Sequence, residues 1–197
     1  MFIEAVILGI IIGLVRNGSI RNISMTKIRG WFLIVLAFLI QIFLMIMPNI
    51  SIVKIYGRYF YVASLALIIL TLLINLNKKG MWIILIGAIF NFIVIFMNDF
   101  KMPISLEGLK LAGLQNMIDG IKSGDIINYM PLNEVGNWTK HLGKYIVIPK
   151  PYPMAKVISV GDVLISLGII MLVQGEMLKS YLTTRGRMIR VGYRPKL

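Results

Sequence analysis

The stretch MWIILIGAIFNFIVIFM, residues Met81–Met97, carries no charged side chain and is apolar along nearly its whole length. It reaches the roughly 17 residues that a helix needs to cross the hydrocarbon core of a membrane. Four further apolar segments complete the pattern: Phe2–Val15, Trp31–Met47, Tyr59–Ile74 and Val157–Val173. The sequence therefore predicts an all-α integral membrane bundle of about five transmembrane helices.

The overall composition agrees with this prediction. Hydrophobic residues make up 58% of the 197 positions, and the mean hydropathy is +0.84. The core of a globular protein of this length cannot bury so much apolar surface. A large part of that surface is therefore expected to face lipid. The length suits one membrane domain over residues 1–197 and leaves little for a second.

The formal net charge of +13 comes from 21 basic and 8 acidic residues, and the basic residues lie mainly between the apolar segments. This pattern is typical of loops that set orientation and contact anionic lipid head groups. No basic stripe alternates with aromatic residues, so we expect no nucleic-acid partner. The chain has no cysteine, one histidine and no metal-ligand spacing, which predicts neither a metal nor a cofactor.

The distribution of basic residues predicts the orientation. The segments after the first, third and fifth apolar stretches have the most Lys and Arg per residue, which predicts that they lie in the cytoplasm. The N-terminus is then outside a bacterial cytoplasmic membrane, and the basic tail, residues 174–197, is inside. In this tail, Arg185, Arg187 and Arg190 are predicted to bind anionic lipid head groups of the bilayer.

The longest connection, Asn98–Lys156, is predicted to cover the outer face. Apolar residues at helical spacing indicate an amphipathic helix from Leu106 to about Gly124, with Ser105 as its N-cap. A second short helix is expected between about Asn133 and Gly143, followed by an extended stretch. The segment is therefore predicted to form an amphipathic helical lid.

Asp162, inside the last apolar segment, is the first candidate for a functional residue. A carboxylate at membrane depth is costly unless it is paired, hydrated or protonated, and such residues mark ion or proton sites. An Asp near a helix end can equally bind loop backbone, and the sequence leaves both interpretations open. Asn98 and Asp99 close the fourth segment on the same predicted side, so Asp99 could join Asp162 in binding a cation or proton. For Asp99, a helix end in water is the favoured interpretation.

The remaining candidates are weaker. The single histidine, His141, could serve an outer-face enzyme, but neither GxSxG nor HExxH is present, and a surface position is favoured. Gly9 and Gly13 form a GxxxG pattern, which lets another helix approach closely. That helix could belong to the same chain or to a partner.

Two short motifs carry a resemblance to a known family. The stretches Asn98–Ser105 and Ser159–Leu164 resemble an uncharacterised family, a domain of unknown function, of small multi-pass bacterial membrane proteins. The resemblance extends over most of the chain in helix layout and implies this architecture without an activity. The family-like positions are Asn98, Met102, Pro103, Ser105, Gly161 and Asp162.

The chain departs from the family pattern at two places. Asp99 and Phe100 stand where family members usually have glycines, and Lys144 stands where an acidic residue is frequent.

Three functions remain open at this point. The leading one is a non-enzymatic subunit that binds a membrane protein partner or a lipid-like ligand. The others are a transporter or channel element that uses Asp162 and Asp99, and an outer-face enzyme that uses Asp162, Asp99 or His141.

Overall fold

The computed structural model describes residues 1–47, 50–126, 128–184 and 187–191. These residues form nine α-helices: α1 (Phe2–Val15), α2 (Ile20–Ser24), α3 (Trp31–Ile46), α4 (Ser51–Ile74), α5 (Met81–Met97), α6 (Leu106–Leu111), α7 (Gln115–Ser123), α8 (Asn137–Lys140) and α9 (Val160–Met177). They also form six strands: β1 (Met102–Ile104), β2 (Tyr129–Pro131), β3 (Lys144–Ile148), β4 (Lys156–Ser159), β5 (Ser180–Thr184) and β6 (Arg187–Val191). One 3₁₀ turn covers Leu132–Glu134.

Five long helices, α1, α3, α4, α5 and α9, lie in the five apolar segments of the sequence. Within them, Ile55–Ile74 and Val160–Met177 are long and apolar enough to cross a membrane, judged by length and composition. The other three are shorter apolar helices. Helix α4 begins earlier than its apolar segment. Helix α9 begins later than its segment, because Val157–Ser159 belong to a strand, and it also ends later.

The long helices pack side by side in the order α1, α9, α5, α4, α3. The sheet lies beyond the C-terminus of α5 and the N-terminus of α9, and we call this side the sheet end. The opposite side holds the N-termini of α3 and α5, and we call it the basic end because Arg16, Lys78 and Lys79 lie in its loops.

Glycines allow α5 and α9 to pack with their backbones close together. A Cβ atom on Gly87 would lie 2.5 Å from the carbonyl oxygen of Gly161, and a Cβ atom on Gly168 would lie 2.8 Å from that of Gly80. Such contacts are too short for any side chain, so glycine is required at the interface. The glycines repeat every seven residues on each helix, which keeps them on one face.

The connection Asn98–Lys156, which we call the outer segment after its predicted position, forms a sheet together with Val157–Ser159, and the sequence did not predict this sheet. Its strand order is β2–β1–β3–β4, with β1 parallel to β2 and β3, and β3 antiparallel to β4. The all-α prediction is therefore wrong for this segment. Strands of three to five residues whose partners are distant in sequence leave little local pattern to detect.

The predicted amphipathic helix is divided into α6 and α7. The break lies at Gly113, whose φ of 70° takes the backbone out of the right-handed helical region. Both helices nevertheless bury their apolar sides against the sheet, in a core of Ile104, Leu109, Ile118 and Val157.

Candidate functional site

Asp162 lies in the first turn of α9 and is part of its N-terminal cap. The Ser159 hydroxyl accepts a hydrogen bond from the Asp162 N–H (3.0 Å), and Asp162 Oδ2 accepts one from the Ser159 N–H (3.2 Å). This reciprocal pair is a capping box, and the carboxylate also interacts favourably with the positive end of the helix dipole. The backbone of α9 therefore holds Asp162 in a fixed position.

Asn91 connects this cap to α5. Its Nδ2 donates to Asp162 Oδ1 (3.0 Å), and its Oδ1 accepts from the Ser159 hydroxyl (2.7 Å). The amide reaches both groups because the glycine contact at Gly87 and Gly161 brings α5 against the start of α9. A side chain on Gly161 would overlap Asn91 itself. Gly161, a predicted site residue, thus makes room for the hydrogen bonds of Asp162.

Lys144, the first residue of β3, provides the positive charge. Its Nζ lies 3.3 Å from Asp162 Oδ2 and 5.6 Å from the centroid of the Tyr129 ring. Burial acts to lower the pKa of Lys144, but Tyr129 and Asp162 outweigh it, and the pKa is raised. We refer to Asn91, Lys144, Ser159 and Asp162 as the Asp162 cluster.

In the Asp162 cluster, both carboxylate oxygens have partners, and the charges of Asp162 and Lys144 cancel. Both carboxylate oxygens already accept hydrogen bonds from the chain, and the ammonium of Lys144 balances the charge. A catalytic carboxylate or a cation ligand needs an oxygen that a substrate or ion can reach. The arrangement therefore favours a role in fixing the sheet to the helices.

Asp99 and Asn98 lie in the turn after α5. The Asn98 amide donates to the carbonyl of Val94 (2.7 Å), and the Asp99 side chain is exposed. Asp162 is bonded to Asn91, Ser159 and Lys144. A site that it shares with Asp99 stays a prediction.

The turn itself explains the glycines of the resembling family. Asp99 and Phe100 have φ angles of 53° and 61°, in the left-handed region that glycine adopts without strain.

Ser105 and His141 lie elsewhere in the outer segment. The Ser105 hydroxyl accepts from the Gly108 N–H (3.0 Å), so it is the N-cap of α6 that the sequence predicts. His141 is exposed at the C-terminus of α8. No bond connects its imidazole to Asp162 or Asp99 in the part of the chain that the structure describes.

Gly9 and Gly13 face α9 of the same chain. A Cβ atom on Gly9 would lie 2.9 Å from the Val173 Cβ, and one on Gly13 would overlap the Met177 side chain. The GxxxG pattern therefore packs within the molecule.

Of the three arginines predicted to bind lipid, two belong to the described residues. Arg185 lies outside the described residues, and Arg187 and Arg190 belong to β6, which pairs with β5. Their lipid contacts remain a prediction. No cluster of three or more Asp, Glu or His side chains could hold a metal ion among the described residues.

A comparison of the sequence with protein-family profiles shows the family of the chain. The sequence profile of a family of unknown function, DUF5317, matches residues 25–174, about three quarters of the chain. The chain belongs to this family. The predicted membership of an uncharacterised family is thereby confirmed, and the matched region contains the whole Asp162 cluster.

One relative is similar over most of its length. An uncharacterised protein of Thermotoga maritima is 25% identical over 169 residues, which cover 86% of this chain and 88% of the relative. No solved structure shows a significant match.

A second buried carboxylate, Glu176, lies at the other end of α9, and the sequence analysis did not single it out. Its Oε2 accepts from the Thr26 hydroxyl (2.9 Å), and its Oε1 is 3.9 Å from Lys78 Nζ and pairs with Lys179. We refer to these four residues as the Glu176 cluster. The signal was present, since an acidic residue close to a long apolar run is unusual.

The Glu176 cluster is continuous with further bonds at the basic end. The Asn22 amide donates to the carbonyls of Met177 (2.8 Å) and Lys179 (2.7 Å). These bonds satisfy the carbonyl of the last residue of α9 and one just beyond the helix, and they hold α2 against α9.

Proposed function

We propose that the chain is a multi-pass protein of the bacterial cytoplasmic membrane and acts as a non-enzymatic subunit. It would bind a membrane protein partner or a lipid-like ligand. In this proposal all five long helices cross the membrane, the sheet end is outside, and the basic end and the C-terminus are cytoplasmic.

The charge distribution supports this orientation. The short connections at the basic end hold six basic residues, whereas the start of α4 at the sheet end holds only Lys54 and Arg58. The six are Arg16, Arg21, Lys27, Arg29, Lys78 and Lys79. The positive-inside rule therefore favours the basic end as the cytoplasmic side.

The apolar surface of α3 is the observation that carries the proposed binding role. This helix is at one end of the row and buries Ala37 and Leu44 against its neighbour, while Phe38, Leu39 and Ile42 are half exposed or more. Helix α1, at the other end, is similarly uncovered. The molecule thus presents apolar helix faces, while the Asp162 cluster presents no free reacting group.

The alternatives have less support. A transporter that uses Asp162 and Asp99 together would need the two side chains to meet, and Asp99 is exposed in a separate turn. Asp162 alone could still carry a proton or cation, and loss of a pH-dependent flux in Asp162→Asn would support that role. An outer-face enzyme would be supported by loss of turnover in His141→Ala with folding intact.

Thiol labelling tests the orientation. Because the chain has no cysteine, a single introduced cysteine is its only thiol. We expect Ser123→Cys, in the outer segment, to react with a membrane-impermeant maleimide in intact cells. Asn77→Cys, in the basic-end loop, should react only after permeabilisation; the reverse pattern would contradict the proposed orientation.

Native mass spectrometry tests the binding role. We expect protein extracted gently from its own membrane to carry a stoichiometric second protein or a retained lipid. A photo-reactive residue in place of Leu39 should then capture that molecule, whereas the same residue in place of Ala37, which faces α4, should not. Recovery of the chain alone, with no capture at Leu39, would contradict the proposal.

A further inference from the structure

A cleft at the basic end opens where the loop before α3 meets the first turn of that helix. Its volume is about 550 Å³, and it is lined by Thr26, Lys27, Ile28 and Trp31. The cleft lies far from the Asp162 cluster, which is at the opposite end of α9.

The cleft supplies hydrogen-bond donors without acceptors for them. Within the described residues, neither the ammonium of Lys27 nor the indole N–H of Trp31 has a hydrogen bond or ion-pair partner. The Thr26 hydroxyl, in contrast, is already bonded to Glu176. An ammonium and an indole N–H can only donate, so the complementary ligand group is an acceptor with negative charge.

The surroundings are also positive. Arg16, Arg21 and Arg29 belong to the same end of the molecule. The nearest acidic side chain, Glu176, is balanced by Lys179 and Lys78. The field at the cleft therefore attracts anions.

An apolar surface leads away from the cleft along α3. Trp31, Val35, Phe38 and Ile42 are spaced by four, three and four residues, so they lie on one face, and all four are exposed. A ligand that fills the cleft and covers this face must join an anionic group to a long apolar chain. A phospholipid with an anionic head group has this chemistry, whereas a free anion would leave the apolar face uncovered.

We propose that this cleft is a binding site for an anionic phospholipid. The head-group phosphate accepts hydrogen bonds from Lys27 and Trp31, and one acyl chain lies along the exposed face of α3. This inference rests on the proposed membrane location, and it specifies a lipid site separate from the basic tail.

Lipid titration followed by native mass spectrometry tests the site. The purified full chain is titrated with phosphatidylglycerol and with phosphatidylcholine of the same acyl chains. We expect the wild type to retain more phosphatidylglycerol, and Lys27→Gln to reduce its affinity for that lipid about fivefold, as the loss of one charge contact implies. Trp31→Leu should weaken retention of both lipids.

Lys79→Gln is the matched control, because it removes the same charge from an exposed side chain at the same end. It should leave the head-group preference unchanged. Equal losses in Lys27→Gln and Lys79→Gln, or no preference in the wild type, would overturn the site. Displacement of the lipid by millimolar inorganic phosphate would show a site for free anions instead.

The thiol-labelling pattern separates this inference from the proposed function. A chain that labels as a membrane protein but shows no preference for phosphatidylglycerol contradicts only the lipid site. A chain whose labelling shows no membrane protection contradicts both.

Discussion

Helix α9 has a buried carboxylate near each end, and the two are stabilised in different ways. At the sheet end, Asp162 is bound by backbone and side-chain groups of its own N-terminal cap, with Asn91 and Lys144 added from elsewhere. At the basic end, Glu176 contacts three side chains: Thr26 before α3, Lys78 before α5 and Lys179 after α9.

The helix dipole explains the difference. A negative charge is favoured at the N-terminus of a helix and disfavoured at the C-terminus. Asp162 therefore gains from its position, whereas Glu176 needs nearby cations to offset it. The comparison implies that removing Glu176 leaves more unbalanced charge than removing Asp162.

The largest expected effect is that of Glu176→Gln. Loss of the carboxylate leaves Lys78 and Lys179 close together without their shared anion, in a site where Glu176 is only 3% exposed. Breaking a buried ion pair costs about 3 kcal/mol of unfolding free energy. The measurement is the thermal midpoint in mild detergent, followed by circular dichroism, with Lys79→Gln as the surface control. A midpoint equal to that of the control would contradict the structural role of the Glu176 cluster.

A smaller loss is expected for Asp162→Asn. The amide keeps one acceptor for Asn91 but loses the ion pair with Lys144 and the hydrogen bond from the Ser159 N–H, so the unfolding free energy should fall by about 1–2 kcal/mol. Adding Lys144→Met to this variant removes the unpaired cation and should restore part of the loss. If the double variant is less stable than the wild type by the sum of the two single effects, the two side chains are not coupled.

Alkaline pH should weaken the sheet end. The pKa of Lys144 is raised from its ordinary value of 10.5, so the stabilisation from its charged form is fully present below that value. It is lost as pH rises through the higher pKa of the folded state. A series of thermal midpoints from pH 9 to higher pH in wild type and Lys144→Met tests this. The variant should show a shallower decline; equal slopes would exclude Lys144 as a cause.

The smallest expected effect is a gain in stability for Asp99→Gly. Asp99 is exposed with φ of 53°, and glycine adopts this conformation without strain, so a gain of about 0.5 kcal/mol is expected. Phe100→Gly is the contrasting variant. Its ring packs 5.4 Å from that of Tyr59 and 5.6 Å from that of Phe96, so its removal should cost more than the relieved strain. Destabilisation by Asp99→Gly would contradict this account of the turn.

The sequence predicted those features that depend on residues close together in the chain. Apolar runs located the long helices, Ser105 was identified as a cap, and the extended stretch expected after about Gly143 corresponds to β3. Each depends on residues that are neighbours in the chain.

The missed features depend on residues far apart in the chain. Strand β1 has three residues and pairs with strands that begin at Tyr129 and Lys144, which no local periodicity reveals. Lys144 and Asn91 gain their roles only because the sheet and α5 bring them to Asp162. Asn91 could have been noticed as the only polar residue in Met81–Met97, but its partners could not have been inferred.

The spacing of the two carboxylates has a consequence for the surrounding lipid. Asp162 and Glu176 are separated by 14 positions (176 − 162), or roughly 21 Å along a helix. Helix α1 has 14 residues and the same length. The hydrocarbon core of an ordinary bilayer is about 30 Å thick, and tilting only shortens the span of a helix. In the proposed membrane setting, the bilayer next to α1 is therefore expected to be compressed, and phospholipids with shorter acyl chains would adapt to this face with the least deformation.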